Sequence, residues 1–252
     1  MRWTRYAIDD RHVVTITLDR DAKRNAVNAQ MGEEVLECLD LAEREEARVV
    51  VLRANSGAKV WCAGHDLREL DPAALYADNP IIKVFQRVQD LSIPVVAMVE
   101  GSVHAGGLII LLGVDIVVAT DNAEVAIASS KLGIPLEPEV YAPWLAVMGI
   151  HKAKELLFTA RAISADDAYH AGLYNHVVSV DELEPATNDV VTRILACSSE
   201  AIADAKYQLN LMVARTRLAG ADRDDVERRS GALLASPDTR ARIAALLATL
   251  RG

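Results

Sequence analysis

Cysteine is scarce in this chain, with three in 252 residues. Cys38, Cys62 and Cys197 lie far apart with no CxxC spacing, which argues against a disulfide framework and for a reducing compartment where thiols serve packing. Basic clusters are missing too. With 27 Lys and Arg against 36 Asp and Glu the formal net charge is −9, and without a run of cations to neutralise phosphates, nucleic acid is not expected as a partner. The opening Met1-Arg2-Trp3-Thr4-Arg5-Tyr6 lacks the continuous apolar region of a secretory signal. The longest apolar stretch, residues 108–118, contains Gly113 and Asp115 and is too short to span a bilayer. These absences lead to the expectation of a cytoplasmic protein without membrane contact.

No Pro-, Gly- or Ser-rich linker divides the chain, and 51% of its residues are hydrophobic, enough for one large domain or a domain with an appendage. Alternation in Val13 to Leu18 predicts a strand, and Met31 to Glu46 has apolar residues at helical spacing. Val49 to Leu52, Val95 to Val99, Ile116 to Ala119 and Val125 to Ile127 read as successive buried strands, so the first two thirds are expected to be layered α/β. After about residue 139 helical patterns take over, at 152–158, 165–171, 186–196, 200–218 and 240–250.

Two glycine-punctuated turns stand out. Ala63-Gly64-His65-Asp66 follows the run Val49 to Leu52, and Gly101 to Gly107 follows Val95 to Val99. Each reads as strand, tight turn, helix start. Glycine beside a helix N-terminus lets the backbone approach a ligand and leaves N–H groups free, so the pair can together bind one oxyanion. Such turns are also ordinary packing devices in α/β proteins. A third segment, Lys131-Leu132-Gly133-Ile134-Pro135-Leu136-Glu137, follows another apolar stretch.

With these three segments, and with Lys23-Arg24-Asn25-Ala26 before them, the chain resembles the crotonase superfamily, the enoyl-CoA hydratase/isomerase family, over nearly its whole length. The resemblance continues through Leu156 to Ala160, Ser164 to Ala168 and Gly172 to Val178. It implies a ββα spiral core over residues 1–190 and a C-terminal α-helical region over 191–252 that caps the core or packs trimers, often paired into hexamers.

It also implies chemistry on acyl-CoA thioesters, in which negative charge develops on the thioester oxygen. The backbone N–H groups of His65 and Gly106 would be the oxyanion donors. Arg24 and Ala26 would lie near the nucleotide or pantetheine, and Ala63, Asp66 and Leu67 along the pantetheine channel. Arg24 suits phosphate pairing but equally a solvated loop. His104 is expected as a wall of the acyl pocket; metal ligation by His65 or His104 lacks a second ligand at suitable spacing. Gly107 and the bulky Trp61, Tyr76 and Trp144 are candidates for shaping that pocket. No metal, nicotinamide or flavin is required, coenzyme A being part of the substrate.

The two glutamates of the family's hydratases fall at Ile109 and Ser129 in this sequence, which puts ordinary hydration in doubt. Glu137 stands where relatives that shift double bonds carry a single catalytic carboxylate. Its neighbours Ile134, Leu136 and Trp144 would raise its pKa; the alternative is that it caps the following helix. The expected reaction is therefore double-bond isomerisation with Glu137 as acid and base. Overall similarity to methylmalonyl-CoA decarboxylases makes decarboxylation the alternative, although the tyrosine expected there is Leu136, with Tyr141 a helical turn later. Residual hydration, a non-catalytic acyl-CoA-binding scaffold and RNA binding are the remaining readings.

Overall fold

The computed structural model describes residues 1–69 and 78–249 of the chain. β1 (Thr4–Ile8) and β2 (Val13–Leu18) form an antiparallel hairpin, and α1 (Ala29–Arg44) leads to β3 (Val49–Ala54) and the short β4 (Val60–Cys62). Then follow α2 (Pro80–Asp90), β5 (Val95–Val99), β6 (Ser102–His104), α3 (Gly106–Leu111), β7 (Ile116–Thr120), β8 (Val125–Ala126) and α4 (Ser129–Leu132). The rest is α5 (Tyr141–Thr159), α6 (Ala165–His170), β9 (His176–Val178), α7 (Val180–Leu195), α8 (Ser199–Ala214), α9 (Gly220–Ala235) and α10 (Pro237–Thr249).

The strands form two sheets. The larger runs β1-β2-β3-β5-β7-β9 and is parallel from β2 onward; the smaller is the parallel set β4-β6-β8. Strands buried on both faces lose the polar half of the alternating pattern, and β3 shows why its sequence is continuously apolar. Val50, Leu52 and Ala54 join the main core with α1 and α2, whereas Val49 and Val51 pack with Val96, Met98, Leu183 and Val191 beneath α7. This mixed α/β architecture with a parallel core is the fold expected from the sequence.

Several elements differ from expectation. The strand leading into Ala63 is β4 rather than β3, and the described residues after His65 form a turn. Likewise β6 intervenes between β5 and α3, and β8 belongs to the small sheet instead of succeeding β7 in the large one. Strands of three and two residues are too short to show a period. α7 begins at Val180, ahead of Pro185, because Ser179 and Glu182 make a reciprocal cap that starts it early. It spans residue 190, where the sequence division between core and helical region falls. α5 runs through residues 152–158 but starts at Tyr141 and breaks at Gly149, where φ is 67°.

The last helices return to the core. The Lys206 ammonium on α8 donates to the Ile93 carbonyl at 3.0 Å and to Asp115 at 2.7 Å, a buried bond across the N-terminal edge of the sheet. Thr239 on α10 is fully buried against the segment before Glu137, its hydroxyl 3.3 Å from the Gly133 carbonyl. Among the described residues no helix is long and apolar enough to cross a membrane.

Candidate active site

The small sheet supplies three ends to one place. β4 delivers the chain to Ala63, β6 to Ala105 and β8 to Ser129, each at the C-terminal end of a parallel strand. In the first turn, Val27 N–H donates to the Gly64 carbonyl at 2.7 Å and Asp66 N–H to the Val27 carbonyl at 2.9 Å, forming a parallel bridge between Val27 and His65. Neighbouring peptide groups in extended backbone face opposite sides. With Gly64 and Asp66 bonded to Val27, the N–H of His65 faces away from it, and no acceptor for that group is found among the described residues.

The second turn is made by Ala105, whose φ of 45° and ψ of −115° redirect the chain from β6 into α3. That left-handed conformation costs on the order of 1–3 kcal/mol for a non-glycine residue. It leaves Gly106 at the first helical position, where backbone N–H groups have no intrahelical partner. The two turns touch closely: a Cβ built on Gly64 would stand 2.5 Å from the Gly106 nitrogen, and one on Gly106 would lie 3.2 Å from Gly64 Cα. Only two glycines allow this approach.

Beneath the turns is a cavity of about 270 Å³. Ala63, His65, Leu67, His104, Gly106, Ser129, Leu136 and Glu137 all border it, as does Ile109. Leu246 reaches it from α10 of the same chain. Glu137, 6% exposed, is at the N-cap of a 3-10 turn (Pro138–Val140), yet its side chain makes no capping bond. The Asn79 amide donates to Glu137 Oε1 at 2.5 Å. Burial pushes the Glu137 carboxyl above the usual range, and the Asn79 amide offsets part of this. The carboxyl therefore faces a reacting space instead of a helix end.

Both histidines at the cavity are driven toward the neutral form. Burial lowers the pKa of His65 against the opposing charges of Glu69 and Asp66, and burial with the nearby Arg24 lowers that of His104. His104 Nε2 lies 2.9 Å from Ser102 Oγ. Among the described residues no group of three His, Cys, Asp or Glu side chains is arranged to hold a metal ion.

The other expected residues among those described lie outside this lining. Asp66 does not border the cavity; it is buried against Arg20 at 2.8 Å. Gly107 is also outside the lining, and a Cβ there would meet the Cys62 carbonyl at 2.7 Å, so it serves the packing of α3 on β4. Ala26 offers its carbonyl to Arg20, and exposed Arg24 lies outside the cavity lining. Trp61 and Trp144 are fully buried core residues whose indoles donate to the Met98 carbonyl and Met148 sulfur. Tyr76 falls outside the described residues. Tyr141 does not line the cavity either; burial and the Glu137 charge raise its phenol pKa. Sequence reasoning missed Asn79, whose Asn-Pro start to α2 signals a cap, but whose bond to a carboxyl 58 residues away leaves no local mark.

The chain is similar to known proteins in sequence and in fold. A family profile described as enoyl-CoA hydratase/isomerase matches residues 9–228. The chain is 33% identical to the methylmalonyl-CoA decarboxylase of Escherichia coli (strain K12), covering 79% of this chain and 78% of that protein. It is 32% identical to the 1,2-epoxyphenylacetyl-CoA isomerase of the same organism, over 74% of each. A solved methylmalonyl-CoA decarboxylase in complex with 2-nitronate-propionyl-CoA superposes with a TM-score of 0.94 at 28% identity, over 98% of this chain and 96% of that one. The chain belongs to the enoyl-CoA hydratase/isomerase family, the crotonase superfamily, and these relatives are named for reactions of acyl-CoA thioesters.

Proposed function

We propose that the protein is an acyl-CoA isomerase that moves a double bond through an enolate, with Glu137 as its acid and base. The observation that supports this best is the single buried carboxyl in an otherwise largely apolar cavity that the His65 and Gly106 turns also border. The ionised Glu137 takes a proton from C2 of a 3-enoyl-CoA, and the electrons pass to the thioester oxygen. The N–H groups of His65 and Gly106 hold that oxyanion. The protonated Glu137 then returns the proton to C4, and the C2–C3 double bond forms. Ile109 and Ser129 leave no second carboxylate to activate water, so hydration is not the favoured outcome. Arg24 is charged, exposed and close enough to His104 to lower its pKa, which suits a phosphate of coenzyme A at the cavity mouth. The exposed Tyr207, Leu209 and Met212 on α8 suit burial against further copies of the chain, as a homotrimer or dimer of trimers.

Decarboxylation is the second reading, favoured by the likeness to methylmalonyl-CoA decarboxylases. A Glu137 kept protonated by burial would then supply the proton to the enolate left by carbon dioxide. Against it, no Lys or Arg side chain borders the cavity among the described residues, so a substrate carboxylate would meet no fixed cation. The test is mass spectrometry in deuterium oxide with 3-enoyl-CoA, 2-enoyl-CoA and methylmalonyl-CoA in parallel. Double-bond migration is expected, with the C2 proton carried to C4 and deuterium gained only as far as the protonated Glu137 exchanges with solvent. Loss of carbon dioxide from methylmalonyl-CoA without migration would overturn the isomerase reading.

The protonation of Glu137 sets the pH profile. A base must be ionised, so kcat/KM is expected to rise through a limb above the ordinary glutamate range, because burial raises this carboxyl. Asn79→Ala removes a donor that favours the ionised form and should displace the limb to still higher pH. An unmoved limb would assign it to another group.

Chain length is read against Leu246. Leu246→Ala opens the cavity and is expected to favour acyl chains longer by two to four carbons by about 10-fold in kcat/KM, the scale of one or two methylenes in an apolar pocket. An unchanged preference, measured across a series of chain lengths, would place the end of the acyl chain elsewhere.

A further inference from the structure

The turn bearing His65 is held by a buried ion pair that does not touch the cavity. Arg20 and Asp66 have side chains 9% and 11% exposed, and their closest atoms are 2.8 Å apart. The same Arg20 nitrogen donates to the Ala26 carbonyl at 2.7 Å. Arg20 is itself fixed, its backbone N–H donating to Asn25 Oδ1 at 2.8 Å and its guanidinium standing 5.2 Å from the centre of the Trp3 ring. Asp66 Oδ1 accepts from the Arg68 N–H at 3.2 Å.

One guanidinium nitrogen thus joins the residue before Val27 to the residue after His65, the two positions flanking the bridge that aims the His65 N–H. The three ladder bonds, Ala63 to Arg24, Val27 to Gly64 and Asp66 to Val27, fix the register of the two segments but leave their tilt free. The ion pair constrains that tilt. A peptide N–H loses most of its hold on an oxyanion when tilted away from the acceptor, since hydrogen bonds weaken steeply below ~120°. Burial pushes the Asp66 carboxyl up, but Arg20 and the Arg68 N–H outweigh it and hold it below the usual range.

We propose that Arg20 and Asp66 are positioning residues for the oxyanion site, setting the direction of the His65 N–H through the Ala26 carbonyl and the turn. This assignment rests on the enolate reading above, and a carbonyl-stretch measurement separates the two. Butyryl-CoA labelled with carbon-13 at the thioester carbonyl is bound to the enzyme and its stretch compared with that in water by infrared difference spectroscopy; donors at the oxygen lower the frequency.

The informative variant is Arg20→Met with Asp66→Leu, since replacing a whole buried ion pair with apolar residues can leave stability intact. Asp66→Asn provides the same readout with a smaller change of shape, and Arg20→Lys keeps the charge. The double variant is expected to lose most of the downshift and about 100-fold in kcat, with KM within about 3-fold of the original. Arg20→Lys should recover part of both. Folded double or Asp66→Asn variants that retain the full downshift and kcat overturn the assignment. Absence of a downshift in the unaltered enzyme overturns the enolate reading, and the positioning role with it.

Discussion

Glu137→Gln is expected to reduce double-bond migration by about 10²- to 10⁴-fold, the usual contribution of a positioned general base, while binding of a saturated acyl-CoA persists. The amide nearly matches the carboxyl in shape and can still meet the Asn79 side chain, so the loss would report proton transfer alone. The same substitution has a second expected effect, on stability. Burial raises the proton affinity of Glu137 in the folded state above its unfolded value. Its stabilising contribution is therefore present at low pH and is lost as pH rises through the raised folded pKa. At neutral pH the ionised carboxylate is a burden that glutamine lacks, so the variant should melt at a higher temperature than the unaltered protein, with the difference narrowing in acid. Thermal melts across pH, paired with turnover of 3-enoyl-CoA, check both. Unchanged turnover would remove Glu137 from the reaction.

Gly64→Ala should sharply reduce turnover. The new Cβ would stand 2.5 Å from the Gly106 nitrogen and 3.0 Å from both Ala105 Cβ and the His104 carbonyl, all on stiff backbone or the first side-chain atom. The φ of 85° adds strain of about 1–2 kcal/mol. Relief requires the two turns to separate, which parts the donors. Losing one oxyanion donor costs about 10²- to 10³-fold in kcat, and a loss of that size is expected here. Gly57→Ala is the control, because Gly57 shares the left-handed backbone at φ 78° but has nothing within 4 Å of the added atom. It should lose stability without losing turnover. Equal losses of kcat in the two variants, compared at matched folded fraction, would contradict a specific role for the contact between the turns.

What the sequence reveals about this molecule depends on how far each interaction reaches. β3, β5 and β7 are legible because burial on both faces makes them continuously apolar. The glycines at 64 and 106 are legible because a close backbone approach restricts the residue type at the position itself. β4, β6 and β8 are hidden, since strands of two or three residues have no period to detect. Arg20 reads as a charge in a polar loop, although its partner, 46 residues on, buries it. Asp66 shows the converse. The family resemblance implies a channel residue, while backbone alternation turns its side chain toward Arg20. Glu137 stands between capping and catalysis in the sequence because a carboxylate before Pro138 fits both; the contact with Asn79 and the missing capping bond speak against capping.

The order β4-β6-β8 has an evolutionary consequence. Each strand of the small sheet ends in a separate piece of the cavity wall: on the proposed enolate reading, the first two would hold the oxygen of the thioester and the third would lead toward the acid or base. Because positions 109, 129 and 137 all border one cavity, that reading would let the group that moves protons change place among them while the two turns stay where they are. One reaction could then be exchanged for another through a few side-chain replacements, leaving the costly part, the meeting of two glycines, untouched.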